Sequence, residues 1–170
     1  MTPSVASSGG PAPVIRAAQA GDASAMAAVI NPIIARGGTT AHRDAFDSAR
    51  ITATFIAPPR LICCLLAERG GTILGFQTLE RIDPDWPGED ALPADWAIIS
   101  TFVSPPHHGC GIGRALFART LPLARAAGVR AIDATIQREN IGGQAFYARL
   151  GFLPHAERPS AVSTCLRLSG

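Results

Sequence analysis

One junction constrains this chain more than any other feature. The run "WAIISTFV" (96–103) is apolar almost throughout, and "SPPHHGCGIGRAL" (104–116) follows it with glycine at 109, 111 and 113. An apolar run of that kind reads as a strand covered on both faces, so the chain needs layers above and below a sheet. An amphipathic segment then runs to about Ala127, where Gly128 marks a helix stop. Pro122 lies inside it and is expected to kink it by removing one internal hydrogen bond. A strand that enters a helix through bare glycine presents free backbone N–H groups at the positive end of a helix dipole. Such a junction suits phosphate or pyrophosphate. Its plainer use is a flexible turn, against which three alternating glycines weigh.

The rest of the chain supplies the layers. "VIRAA" (14–18) reads as a first strand, and Asp22 as the cap of a helix to about Ala35. Residues 43–57 place Phe46, Ala49, Ala53 and Ile56 at helical spacing before Pro58-Pro59. "LICCLLAE" (61–68) and "TILGFQTLER" (72–81) flank a glycine turn as a hairpin. A polar loop (82–95), a strand at 130–136, a helix at 141–150 and a last β region ending at 163–168 complete the order β-α-α-β-β-β-α-β-α-β. This is an α/β chain with a mixed central sheet and helices on both faces. Residues 1–13, rich in Pro, Gly and Ser, read as a disordered leader, and 14–170 as one domain.

Composition removes several functions. All fifteen basic residues are arginine, so neither a Schiff base nor a Lys-centred phosphate loop is available. The dinucleotide spacing G-x-G-x-x-G is not met, and the loop lies past mid-chain behind a hairpin rather than opening the fold. A net charge of +2 with scattered arginines gives no nucleic-acid footprint. No apolar run spans a membrane, the leader lacks a secretory pattern, and the four cysteines lack metal spacing. Four reduced thiols in a cytoplasmic protein are therefore expected.

Two motifs narrow what remains. Val103, Pro105, His108, Gly109, Gly111 and Gly113 follow the pattern V-x-P, two residues, a polar residue, then G-x-G-x-G. Downstream, "ENIGGQAFYARLGF" (139–152) holds Asn140, Phe146, Tyr147, Leu150, Gly151 and Phe152. In order and context the pair resembles the two signatures of the GNAT superfamily of acetyl-CoA-dependent N-acetyltransferases, and the element order agrees over nearly the whole chain.

The resemblance implies that strands four and five splay after Val103. The pantetheine arm would pair with backbone of Phe102 and Val103, and the acyl group would lie near Ile99–Thr101. The pyrophosphate would rest on Gly109, Cys110, Gly111, Ile112, Gly113 and Arg114, with His108 where the family usually has Gln or Arg. Asn140 would bond the arm or cap its helix, and Phe146 would pack on cofactor or core. Tyr147, the only tyrosine in the chain, would protonate the departing CoA sulfur. A phenol, protonated at neutral pH, suits that task. A homodimer is also implied.

The acceptor side is less determined. An amine of lysine-like pKa is neutral in only about one molecule in a few thousand at pH 7, so its proton needs an acceptor. Many relatives carry a carboxylate on the fourth strand, where this chain has Ile98. Glu80 and Asp95 are the candidate bases, with Ser100 or Thr101 as water-positioning alternatives and His107 a structural or phosphate contact. Residues 31–42, "NPIIARGGTTAH", resemble phosphinothricin acetyltransferase-like members, which implies a small amino acid or analogue as acceptor. The expectation is direct acetyl transfer to a primary amine of a small molecule; the alternative is a GNAT module that binds acyl-CoA without turning it over.

Overall fold

The structure, a computed structural model, describes residues 10–88 and 90–169. Seven strands form one sheet: β1 (Val14–Ala17), β2 (Leu61–Arg69), β3 (Thr72–Arg81), β4 (Trp96–Val103), β5 (Ala131–Gln137), β6 (Leu153–Glu157) and β7 (Ala161–Arg167). Their order is β1-β2-β3-β4-β5-β7-β6. Every neighbouring pair is antiparallel except β4 with β5, which is parallel. The β2–β3 hairpin turns through Gly70 and Gly71 at φ 56 and 80, a left-handed pair that only glycine adopts without strain.

Four helices cover the two faces. On one side α1 (Ala23–Arg36) and the short α2 (Ser48–Ile51) enclose a core of Met26, Ile30, Phe55, Leu66, Phe76 and Phe102. On the other, α3 (Ile112–Ala126) and α4 (Ile141–Arg149) enclose Leu65, Leu79, Ile99, Leu116, Ile132 and Tyr147. The α/β reading of the junction therefore holds. Pro122 stays inside a continuous α3, as Pro32 does inside α1.

Two local expectations are corrected. Residues 43–47 are not helical, because the Asn31 side chain engages both backbone groups of Phe46: Oδ1 accepts from its N–H at 2.8 Å and Nδ2 donates to its carbonyl at 2.9 Å. α2 begins instead behind Asp47, whose carboxylate accepts from the Arg50 N–H at 2.7 Å; wider π-type turns continue it over Thr52–Ile56. Asp22 does not cap α1 with its side chain. Its carboxylate turns back to the Gln19 N–H at 2.7 Å and to Arg16 at 2.8 Å, and the Arg16 guanidinium holds its pKa below the ordinary value. Of the expected leader, residues 1–9 lie outside the described residues, and the Pro11 carbonyl accepts from Arg69 Nε at 2.7 Å.

Candidate active site

The site begins where the sheet divides. β4 and β5 pair only over Trp96–Ile98 and Ala131–Asp133. Beyond that rung β5 remains laddered to β7 and β4 to β3, so the facing edges of β4 and β5 carry free backbone donors and acceptors. A backbone edge left open in a buried sheet invites an extended ligand with amide groups.

A cleft of about 510 Å³ opens from this fork, lined by Thr101, Phe102, Val103, His108, Gly109, Gly111, Ile112, Gly113, Arg114, Asn140, Phe146 and Tyr147, among others. Two separate sequence motifs thus meet in one place. Cys110 is exposed and does not line the cleft; its thiol leans on the His108 carbonyl at 3.7 Å. Arg149, which the sequence reading passed over, lines the cleft together with Arg114 and adds a second cation.

The floor of the loop fits a pyrophosphate. Gly109 and Gly111 stand at φ 73 and 79, and a Cβ at either would meet nothing within 4 Å, so it would project into open space. Gly113 has a different reason: a Cβ there would come within 2.9 Å of the Phe146 ring, so it is the close approach of α3 to α4 that demands glycine. His108 does not aim at the cleft with Nε2, which donates to the Val103 carbonyl at 2.7 Å. His107 lines the cleft, and its buried Nδ1 has no hydrogen-bond partner.

Tyr147 is buried on α4, and its hydroxyl lies 2.8 Å from Thr101 Oγ1 on β4. Thr101 Oγ1 also accepts from Gln77 Nε2 at 2.9 Å, and Gln77 is fully buried on β3. Thr101 Oγ1 therefore sits between the Gln77 amide and the Tyr147 phenol, and either hydroxyl of the Thr101–Tyr147 pair can supply the shared proton. Burial pushes the Tyr147 phenol up to about 12, against which the Thr101 hydrogen bond works. Gln77 escaped the sequence reading because a lone amide in an apolar strand has no motif around it.

Asn140 does two local jobs. Its Oδ1 accepts from Gly143 N–H at 2.8 Å, capping α4, and its Nδ2 donates to the Thr39 carbonyl at 3.2 Å, which ties the α1–α2 link to the cleft.

The opposite face of the fork holds a cavity of about 210 Å³, with Thr78, Glu80, Ile98 and Ser100 as its floor and Arg60, Arg81 and Asp83 around it. Arg60 and Asp83 pair at 2.7 Å. Glu80, the register partner of Ile98, is half-buried, and desolvation raises its pKa. Asp95 is not brought to the site. It is exposed at the far end of β4, about 20 Å along the strand from Thr101 at the usual rise. Its one backbone contact is a carbonyl accepting from Arg130 N–H at 2.9 Å.

Comparison with known proteins agrees with this geometry. The model of the acetyltransferase (GNAT) family matches residues 33–152. The chain is 27% identical over 148 residues to the L-amino acid N-acyltransferase MnaT of Escherichia coli, covering 85% of this chain and 82% of that protein. It is 30% identical over 95 residues to the L-methionine sulfoximine/L-methionine sulfone acetyltransferase of Salmonella typhimurium, covering 56% of this chain and 53% of that one. In structure it is similar to yncA of Salmonella typhimurium, solved with its cofactor acetyl-CoA, at a TM-score of 0.71 and 22% identity over 93% of this chain and 95% of that one. A divided sheet, a bare glycine cradle and a buried tyrosine at the fork thus belong to a member of the GNAT family, an N-acetyltransferase with acetyl-CoA as its co-substrate.

Proposed function

We propose that the enzyme acetylates the primary amine of a small amino acid or amino-acid analogue, with Tyr147 as the acid that protonates the leaving sulfur. The observation that carries this is the buried Tyr147 hydroxyl at the fork, 2.8 Å from Thr101 Oγ1, which also accepts from the fully buried Gln77 Nε2 at 2.9 Å. Acetyl-CoA supplies a thioester whose carbonyl carbon accepts the amine nitrogen. The open β4 edge at Phe102 and Val103 would hold the pantetheine arm, and Gly109, Gly111, Ile112, Gly113 and Arg114 the pyrophosphate, with His108 steadying Val103 from behind.

The acceptor enters from the opposite face. The arrangement supports Glu80 as the group that draws the ammonium inward, because a half-buried carboxylate with little solvent around it attracts a cation more strongly than an exposed one. Arg60 and Arg81, on the same cavity, complement an acceptor carboxylate. The names of the two relatives favour amino acids and methionine analogues as the class. Thiol release from acetyl-CoA in the presence of L-amino acids, L-methionine sulfone, polyamines and aminoglycosides tests the reading. Turnover with amino acids is the expected result. Binding of acetyl-CoA without turnover of any amine would leave a sensor module instead.

A further inference from the structure

A primary amide lies in the sheet where an apolar side chain would pack as well. Gln77 stands in the middle of β3 and is 0% exposed. Its register partner on β2 is Leu65, and Leu79 follows along the same face of β3; both belong to the core under α3 and α4. A buried amide is unfavourable there unless both of its ends are hydrogen-bonded. Only one end is. Nε2 donates to Thr101 Oγ1 at 2.9 Å, while the buried Oε1 has no partner among the described residues. The residue therefore weakens the fold relative to an apolar side chain of its shape, and packing gives no reason for it.

What the amide does hold is Thr101, its register partner on β4. Thr101 Oγ1 lies 2.8 Å from the Tyr147 hydroxyl and is that hydroxyl's one hydrogen-bond partner among the described residues. A threonine side chain has three staggered rotamers, and turning it carries Oγ1 away from its partner. The Gln77 N–H fixes the rotamer in which Oγ1 faces the phenol. Phe146 and Phe152 hold the Tyr147 ring by edge contacts at 4.9 and 5.0 Å, and these act on the ring alone, leaving the hydroxyl to Thr101. Gln77 itself is buried behind the cleft that Thr101 and Tyr147 line, so it acts through them and not on the co-substrate.

We propose that Gln77 is a positioning residue for Tyr147: through Thr101 it holds the phenol in place to give its proton to the departing sulfur. The assignment rests on the reading of Tyr147 as the acid. In balance, the amine nitrogen bonds to the acetyl carbon, the C–S bond breaks, and the sulfur takes the phenolic proton. Negative charge then sits on the buried Tyr147 oxygen, where it is costly unless a donor faces it. The Thr101 hydroxyl is that donor, and the Gln77 N–H behind it polarises it further. The surplus proton on the acetylated nitrogen returns through water to Tyr147. Burial pushes the phenol up to about 12 and the Thr101 hydrogen bond opposes that rise, so the chain works in the direction that eases proton release.

Met is unbranched like Gln but lacks its hydrogen-bonding groups, so Gln77→Met removes the amide and keeps the volume. The test measures kcat and KM by thiol release with the fastest L-amino acid, for wild type, Gln77→Met, Tyr147→Phe and the double variant. Gln77→Met should stay folded and lower kcat about fivefold at unchanged KM for acetyl-CoA. In the Tyr147→Phe background the same change should lower kcat no further, because the group it positions is gone. Tyr147 is the only tyrosine in the chain, so tyrosine labelled with carbon-13 at Cζ gives a single NMR resonance, which Gln77→Met should displace. Gln77→Leu takes its place in every arm if Gln77→Met does not fold. An unchanged kcat, an unmoved resonance, or a loss that persists in full in Tyr147→Phe overturns the assignment alone. So does failure of both Gln77 variants to fold, which would make the amide structural. A wild type silent with every amine, or a Tyr147→Phe enzyme as fast as wild type, overturns the acid reading and this assignment with it.

Discussion

The two sides of the fork differ in what they offer a ligand. The donor cleft is mostly backbone: an open strand edge, two left-handed glycines and the first turn of α3. The cavity proposed for the acceptor is mostly side chain, with Arg60, the neighbours Glu80 and Arg81, and Ser100 drawn from three separate segments. Backbone recognition needs a fixed run of residue types, because only certain residues permit the geometry, so it leaves a motif. Side-chain recognition needs only that a few groups converge, and it leaves none. A shared co-substrate and a variable acceptor are what this division accommodates.

The sharpest way to break the comparison is Gly111→Val. At φ 79 a β-branched residue is strained, and its side chain would enter the cleft. We expect acetyl-CoA affinity to fall at least about 100-fold by calorimetry, with the fold intact by circular dichroism. Unchanged affinity would make the loop a mere turn. Tyr147→Phe should leave affinity alone and lower kcat about 100-fold; a kcat within twofold of wild type removes Tyr147 as the acid.

Thr101→Val keeps the shape but deletes the hydroxyl that orients Tyr147, so kcat should drop about tenfold at unchanged KM for acetyl-CoA. A rise in KM without loss of kcat would mean that Thr101 serves binding. Smallest is Glu80→Gln, expected to raise KM for the amine about fivefold while KM for acetyl-CoA holds.

That last variant also has a pH signature. Burial raises the Glu80 pKa, so the fold favours its neutral form. Its contribution to stability is complete below the ordinary carboxylate range and is lost as pH rises through the raised folded value. Glu80→Gln should therefore melt higher than wild type at pH 7, with the difference vanishing below about pH 4. An equal gap at both pH values would assign the effect to packing.

How much the sequence disclosed follows the same division. The apolar run at 96–103, the glycines and the offset between Asn140 and Tyr147 reported the sheet, the cradle and the fork, because each is enforced locally. Helical spacing at 43–57 misled, since Asn31, distant in sequence, takes the backbone of Phe46. Asp95 looked close to the site only because it adjoins β4 in sequence; the strand carries it to the other end. Gln77 was hidden because a single polar residue in an apolar strand acquires meaning only from what lies across the sheet.

The fork also has a mechanical consequence. Strands β1 to β4 and strands β5 to β7 are joined within the sheet by three residue pairs alone, Trp96–Ile98 with Ala131–Asp133. The core under α3 and α4 already ties the two strand sets together, and a ligand lying along this short seam adds a second tie, as a splint. Amide exchange in β4 and β5 should slow when acetyl-CoA binds, even at residues that never touch it, because the halves can no longer part independently.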